Sequence, residues 1–140
     1  MGDEIKEFAT AIGAKEPNPG DKNYKIFRQV FKRSNYFILD GKFAIIKISR
    51  SDKPFWGVGK AYLEFLNNTG NYFLILLVSN REGWVFNKAE INNNIKSDKW
   101  RLREADQNYK INTPLPDINS FISTSHFMKK IGSQLQATNQ

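Results

Sequence analysis

The apolar run YFLILLV at residues 72–78 restricts the folds open to this chain more than any other stretch. A continuous run of this kind is typical of a β-strand that is buried on both faces, because a strand with one solvated face alternates between apolar and polar residues. The run is far too short to cross a membrane, which requires about 20 apolar residues. It therefore predicts a strand in the middle of a sheet.

Helical periodicity in the first quarter of the chain predicts two helices. Residues 3–13 place apolar side chains at positions i, i+3, i+4 and i+7, after two acidic residues and before Gly13, as an amphipathic helix requires. A second helix is predicted from about Asn23 to Arg33, with aromatic residues on one face and basic residues on the other. A turn-rich connector at 14–21 separates the two helices.

A β-hairpin is predicted between the second helix and the apolar run. Residues 35–39 and 42–49 alternate between the two faces of a strand, and Asp40 and Gly41 lie between them. Because this pair tolerates the positive φ angles of a tight two-residue turn, we expect two antiparallel strands.

Periodicity and turn residues also divide the rest of the chain into elements. From Val58 the apolar residues fit a helical period as far as the polar stretch at 67–71, and residues 84–88 predict a strand after the turn REG. Residues 89–100 predict a short helix, and residues 101–111 are interpreted as an edge strand. A last helix is predicted to begin at Pro116 or Asp117, with anchors at Ile118, Phe121, Ile122 and Ile131.

These elements predict an α+β fold in which helices flank one mixed central sheet of about four to five strands. A chain of 140 residues can bury a large core and fits a single domain over residues 1–140. We expect the polar tail from about residue 132 to fray.

Cysteine and histidine usage excludes several kinds of site. The chain contains no cysteine and a single histidine, His126. Disulfides, thiolate metal sites, cysteine nucleophiles and histidine metal clusters are therefore excluded, and a surface or packing role is the simpler interpretation of His126. The N-terminus is acidic and amphipathic, unlike a secretion signal, so we expect a cytoplasmic protein with no membrane partner.

The net charge of +7 is concentrated in one part of the sequence. From Lys25 to Lys53 there are eight basic and two acidic residues. Concentrated positive charge attracts polyanions and supplies the sequence-independent part of nucleic-acid affinity. The simpler alternative is a solvated basic surface without a ligand.

The residues predicted to contact nucleic acid lie on the second helix and on the loop after the hairpin. In that loop Phe55 and Trp56 stand between lysines, an arrangement typical of surfaces that stack on bases and contact phosphates. Alternatively, the two rings cover the end of the core. The predicted contact residues are Lys25, Arg28, Lys32, Arg33, Arg50, Lys53, Trp56 and Lys60.

Lys47 is the charged residue of the second hairpin strand that most suggests a site. It shares a strand face with Ile45, so that face is half-buried, and a lysine there is expected to have a partner. The order of helix, hairpin with the turn DGK, apolar strand, loop, helix and buried strand, over about residues 23–88, resembles the PD-(D/E)xK nuclease core of restriction endonucleases and related DNA enzymes. The resemblance implies that acidic residues on neighbouring strands, with a lysine, hold Mg²⁺ and orient the attacking water. Carboxylates suit this chemistry because Mg²⁺ prefers hard oxygen ligands.

The sequence departs from the motif of that family. The residue two positions before Lys47 is Ile45 instead of an acid, and the expected aspartate is replaced by Asn35 or displaced to Asp40 in the turn. Some members recruit the missing acid from the following helix, where this chain has Glu64. By that analogy the resemblance implies Asp40, Lys47 and Glu64 as catalytic residues, with Asp40 and Glu64 as Mg²⁺ ligands, and Glu4 or Glu7 as further acids.

Each of these acids also has a plain structural interpretation. Asp40 suits the first position of a hairpin turn, Glu64 suits a solvent-facing helix position, and acids at the start of the first helix complement the helix dipole.

The leading hypothesis is a DNA-interacting protein with a nuclease-like core, either a divergent Mg²⁺-dependent endonuclease or a relative without the chemistry. The alternatives are a non-catalytic nucleic-acid-binding or specificity module, and a basic protein-interaction factor with an acidic partner. DNA is the expected partner, and RNA is the alternative. The sequence leaves open whether the chain forms a homodimer.

Overall fold

The computed structural model of the protein describes residues 3–16, 20 and 36–138. In this part of the chain the helices are α1 (Asp3–Ile12), α2 (Lys60–Thr69), α3 (Lys88–Lys96) and α4 (Thr124–Thr138). The strands are β1 (Tyr36–Leu39), β2 (Lys42–Ile48), β3 (Phe55–Gly59), β4 (Tyr72–Leu77), β5 (Gly83–Asn87), β6 (Arg101–Arg103), β7 (Asn108–Asn112) and β8 (Ser120–Phe121). A 3₁₀ turn spans Asp117–Asn119. The second helix predicted from about Asn23 to Arg33 lies outside the described residues.

The larger sheet has five strands in the order β1-β2-β4-β5-β8. Strands β2 and β4 run parallel, joined through β3 and α2, and the other neighbours run antiparallel. All six residues of β4 are buried, and β4 is the middle strand of this sheet. The prediction of a central strand from the apolar run is confirmed, and so is the α+β class with a mixed sheet of about five strands.

The hairpin forms at the predicted turn. Asp40 and Gly41 have φ angles of 52° and 77°, and Leu39 pairs with Lys42 across the turn. Positive φ at both central residues is the geometry that matches the twist of two antiparallel strands, and aspartate followed by glycine accepts it at low cost.

The smaller sheet has three antiparallel strands in the order β3-β7-β6 and corrects two predictions. Residues 55–59 form a strand, and α2 therefore begins at Lys60 instead of Val58. Residues 101–112 form a two-stranded hairpin instead of a single edge strand. Val58 fits the helical period only by coincidence, because its side chain is buried opposite Tyr109 in the strand register.

Two apolar layers pack on opposite faces of the five-stranded sheet. One layer joins the sheet to α1 and α4, with Phe8, Phe121 and Phe127 at ring-centroid distances of 5.0 to 5.5 Å. The other layer joins the sheet to α2, α3 and the inner face of the three-stranded sheet. This arrangement explains the apolar run, because β4 contributes to both layers.

The last helix begins later than predicted. Residues 117–119 form the 3₁₀ turn, residues 120–121 form the edge strand β8 against β5, and α4 begins at Thr124. Of the predicted anchors, Phe121 and Ile131 are buried, whereas Ile118 and Ile122 are 79% and 70% exposed. The helical spacing of these apolar residues is misleading, because Asn119 fixes the turn by donating hydrogen bonds to the Val85 carbonyl and the Glu90 carboxylate at 2.9 and 2.8 Å.

No helix in the described part of the chain is both long and apolar enough to cross a membrane.

Candidate functional site

The outer face of the three-stranded sheet concentrates basic side chains. Along each strand, buried side chains such as Trp56, Val58 and Ile111 alternate with side chains that point away from the core, as the period of two requires. The outward positions define a surface that we call the basic sheet face, formed by Phe55, Gly57, Gly59, Arg101, Arg103, Asn108, Lys110 and Asn112.

The strand register brings the cations of the basic sheet face together. Gly57, Lys110 and Arg101 form one row across the three strands, and Gly59, Asn108 and Arg103 form the next row. Neighbouring strands lie about 4.8 Å apart, so the three basic residues occupy adjacent positions on two strands. The sequences of the three strands, FWGVG, RLR and NYKIN, contain no acidic residue. No acidic residue within the three strands therefore neutralises their positive charge.

Ion pairing leaves two of the three cations uncompensated within the described residues. Arg103 Nε lies 3.8 Å from Asp106 Oδ2, across the turn between β6 and β7. No ion-pair partner of Arg101 or Lys110 occurs in the part of the chain that the structure describes. Among these residues, no acid competes with a ligand for the charges of Arg101 and Lys110.

Phe55 is an exposed aromatic ring on the same face. The residue is 50% exposed, and Lys110 Nζ lies 5.5 Å from the ring centroid. A cation at this distance is attracted to the ring, but an exposed contact of this kind stabilises by only about 0.5–1 kcal/mol. The ammonium can therefore leave the ring for an anion at small cost.

Two glycines leave the middle of the basic sheet face without side chains, for different reasons. A Cβ at Gly59 would approach the Tyr62 ring to 3.0 Å, so a larger residue there would require this ring of α2 to move by a few tenths of an ångström. A Cβ at Gly57 would meet only the Asn108 side chain, at ordinary contact distances of 3.7 and 3.9 Å. Gly57 also has no positive φ angle, so neither packing nor backbone conformation requires glycine at this position.

The predicted contact residues are divided between surface, ion pairs and core. Lys53 is exposed in the loop before β3. Arg50 is paired with Glu4, whose Oε2 accepts from Arg50 Nε at 2.7 Å. Lys60 Nζ lies 3.8 Å from Glu64 Oε1 on the same helix.

Trp56 lies in the core instead of on the contact surface. Its Nε1 donates to the Leu77 carbonyl at 3.2 Å, and its ring packs edge-on against Trp84 at 5.7 Å. Only 3% of the residue is exposed, so the ring is not accessible for base stacking. The cause is the strand geometry of β3, which turns neighbouring residues to opposite faces.

Lys47 has the half-buried environment that the sequence predicts. It pairs with Leu76 in the parallel register, and Leu76 pairs in turn with Trp84, so its row across the sheet is apolar. Burial lowers the pKa of the Lys47 ammonium below its ordinary value. Within the described residues no hydrogen bond or ion pair involves this ammonium.

The two proposed Mg²⁺ ligands do not lie beside Lys47. Asp40 lies in the turn before β2, and Lys47 lies near the opposite end of that strand, five residues or about 16 Å beyond Lys42. Glu64 is 61% exposed and is the ion-pair partner of Lys60. The structure therefore does not bring the three predicted catalytic residues together.

The other acids weighed as ligands are also engaged elsewhere. Glu4 binds Arg50, and Glu7 Oε2 accepts from the Asn80 amide at 2.8 Å. Across residues 3–16 and 36–138, no group of three or more histidine or acidic side chains could hold a metal ion. The described residues do not fit an Mg²⁺ site of the kind that the resemblance implies.

The predicted contact residues Lys25, Arg28, Lys32 and Arg33 lie outside the described residues. Sequence reasoning missed Arg101, Arg103 and Lys110, although a signal for them was present. RLR and NYKIN both alternate between polar and apolar residues, which is the pattern of strands with one solvated face.

No family model, curated protein or solved structure matches this chain. Its function is therefore argued from the geometry of its own residues.

Proposed function

We propose that the protein binds nucleic acid and that the basic sheet face is its contact surface. The observation that supports this proposal best is the set of three outward cations, Arg101, Arg103 and Lys110, on strands that contain no acidic residue. The exposed ring of Phe55 lies on the same face. Basic side chains next to an exposed aromatic ring suit a ligand that has both phosphates and bases.

Phosphate contact accounts for the chemistry of these side chains. The Arg101 guanidinium presents donors in a planar fork that matches phosphate oxygens, and the Lys110 ammonium adds a mobile positive charge. Each phosphate that they neutralise releases condensed counterions, so affinity falls as salt rises. Such contacts hold and orient a strand without reading its sequence.

A divergent Mg²⁺-dependent DNA endonuclease with a restriction-endonuclease-like core is the second candidate. It is favoured by the β1-β2 hairpin, the parallel pairing of β2 with β4 beyond α2, and the half-buried Lys47 on β2. The separation of Asp40, Lys47 and Glu64 weighs against it, so non-catalytic binding is the function that the geometry supports better.

Metal-dependent cleavage tests the second candidate directly. The parent protein and Lys47→Ala are incubated with plasmid DNA in the presence of Mg²⁺ or of a chelator. Cleavage that requires Mg²⁺ and disappears in Lys47→Ala would support a nuclease. Absence of cleavage, or equal cleavage by the two proteins, would remove Lys47 from any catalytic role.

Salt-dependent binding tests the first candidate. Binding of a fluorescein-labelled 12-nucleotide strand is followed by anisotropy as salt is raised, for the parent, Lys110→Gln and Arg101→Gln. Each substitution should weaken binding. It should also reduce the slope of log affinity against log salt by about 0.7 to 0.9 for each phosphate that the variant no longer neutralises.

Lys6→Gln is the matched control for these substitutions. Lys6 is exposed on α1, and α1 packs on the opposite face of the five-stranded sheet from the basic sheet face. Lys6→Gln should leave affinity and slope nearly unchanged. Equal losses of affinity from all three substitutions would contradict a defined surface, and no binding at low salt would favour an acidic protein partner instead.

A further inference from the structure

We infer that the basic sheet face selects single-stranded over double-stranded nucleic acid by stacking an unpaired base on Phe55. This inference rests on the proposed function and names the form of nucleic acid that the face takes. It follows from three features of the face: the exposed ring, the open position beside it, and the placement of the cations.

The Phe55 ring is accessible on a β-strand. It lies at the first position of β3, paired with Asn112 of β7, and it is 50% exposed although its neighbour Trp56 is buried. The Lys110 ammonium lies over the ring but is not fixed there by an ion pair within the described residues. A planar base can stack on such a ring, and this contact tolerates any base because each has an aromatic face.

Gly57 keeps the adjacent position open. It points to the same side as Phe55, and no packing contact or backbone angle demands glycine there. A glycine inside a strand lowers stability, so one without a structural need is typical of a site where a ligand approaches the backbone closely. The missing side chain leaves room beside Phe55 for the stacked base and its sugar.

The cations lie where the phosphates of a stacked nucleotide would run. From β3 to β6 the face is about 10 Å wide, which is twice the distance between neighbouring strands. Lys110 lies on β7, the strand next to that of Phe55, and Arg101 lies on β6, one strand further. Asn112, paired with Phe55, adds an amide that can both donate to and accept from a base edge.

Duplex nucleic acid cannot use the ring in this way. Its bases are stacked on one another, so their faces are closed to a side chain on the surface of a sheet. A duplex nevertheless has the higher charge density, and a purely electrostatic surface would bind it more tightly than a single strand. Tighter binding of the single strand would therefore indicate stacking, whereas tighter binding of the duplex would indicate attraction by charge alone.

Four labelled probes of equal length test the inference by fluorescence anisotropy at low salt. They are a mixed-sequence DNA strand, the same strand with abasic sites throughout, the DNA duplex, and the RNA strand of the same sequence. The proteins are the parent, Phe55→Ala and Gly57→Val, with Ile122→Ala as the control, because Ile122 is an equally apolar side chain that is 70% exposed elsewhere. Circular dichroism and thermal unfolding establish that each variant is folded.

The parent should bind the base-containing single strands roughly tenfold more tightly than the abasic strand, the size expected for one stacked base. It should also bind them more tightly than the duplex. Phe55→Ala should remove most of the advantage over the abasic strand while leaving abasic binding unchanged, and Gly57→Val should weaken single-strand binding without loss of stability. Ile122→Ala should behave as the parent, and the DNA and RNA arms show which sugar the face prefers.

The outcomes separate this inference from the proposed function. Equal affinity for base-containing and abasic strands, or tighter binding of the duplex, would overturn the inference and leave charge-driven binding in place. Failure to bind any of the four probes would overturn both. A decrease in affinity of the same size on all probes in Phe55→Ala would also overturn the inference, because stacking cannot contribute to an abasic strand.

Discussion

The two sheets of this molecule differ in how they use their faces. The five-stranded sheet is covered on both sides, and every residue of its middle strand β4 is buried. The three-stranded sheet buries Trp56, Val58 and Ile111 on one side and presents the basic sheet face on the other. Packing therefore accounts for nearly every side chain of the first sheet and for only half of those of the second.

This difference indicates which part of the molecule to test for function. In the five-stranded sheet the residue types follow from burial. On the open face of the three-stranded sheet, burial does not explain why the strands carry three cations and no acid, why Phe55 is exposed, or why Gly57 is glycine. The proposed ligand, which has both phosphates and bases, would account for all three features together.

The largest effect is expected from a comparison of two strand glycines. In Gly83→Ala on β5 the new Cβ would meet the backbone carbonyl of Leu76, its carbon at 2.9 Å, and backbone atoms of a central strand cannot move aside. We expect a decrease of about 3 kcal/mol in the free energy of unfolding. Gly57→Ala on β3 should instead raise it by about 0.5 kcal/mol, because alanine restricts the unfolded chain and fits the strand.

Urea unfolding of these two variants measures the difference. Similar decreases in stability in both would contradict the claim that Gly57 is free of packing demands. In that case the openness of the basic sheet face would have a structural cause and not a functional one.

A comparison of two asparagines should give an intermediate effect. Asn119 is 4% exposed and donates to the Val85 carbonyl and the Glu90 carboxylate, so Asn119→Ala leaves two acceptors without this donor and should cost about 1–3 kcal/mol. Asn112→Ala on the basic sheet face should change stability by less than about 0.5 kcal/mol. Thermal unfolding monitored by circular dichroism distinguishes the two, and equal shifts would contradict the division between packed and open faces.

A smaller effect is expected at Lys47, a half-buried cation on the face of β2 that it shares with Ile45. Burial lowers its pKa, so between that lowered pKa and the ordinary 10.5 the folded state binds fewer protons than the unfolded state. The contribution of Lys47 to stability is therefore unfavourable at neutral pH and becomes less so as pH rises through this window.

Lys47→Met should accordingly raise the free energy of unfolding by about 1 kcal/mol at pH 7, and its advantage over the parent should shrink as pH approaches 10.5. Urea unfolding at several pH values gives this difference, with Lys53→Met, in an exposed loop, as the matched control. A Lys47→Met protein that is less stable than the parent at pH 7 would mean that the ammonium has a stabilising partner.

Elements that depend on neighbouring residues could be predicted from the sequence. The periodicity of α1, the turn at Asp40 and Gly41, and the apolar run of β4 are local signals, and all three predictions are confirmed. The half-buried environment of Lys47 could likewise be predicted from the sequence, because Ile45 lies on the same face of the strand.

Elements that depend on pairing between residues far apart in the sequence could not be predicted in this way. Phe55 pairs with Asn112, more than fifty residues away, so the local pattern predicts a loop and the start of a helix where β3 forms, and one strand where the β6-β7 hairpin forms. The same pairing assembles the basic sheet face, which is why Arg101 and Lys110 were missed. Near the C-terminus, helical spacing suggested a helix where the hydrogen bonds of Asn119 and the pairing of β8 with β5 impose other geometry.

Backbone amide shifts during titration with an unlabelled single strand test the central claim most directly. With ¹⁵N-labelled protein and a 9-nucleotide DNA strand at low salt, the largest shift changes should fall in β3, β6 and β7, and the amides of α1 and α4 should change little. Shift changes confined to α1 and α4, or spread evenly over the described residues, would contradict the assignment of the basic sheet face as the nucleic-acid contact.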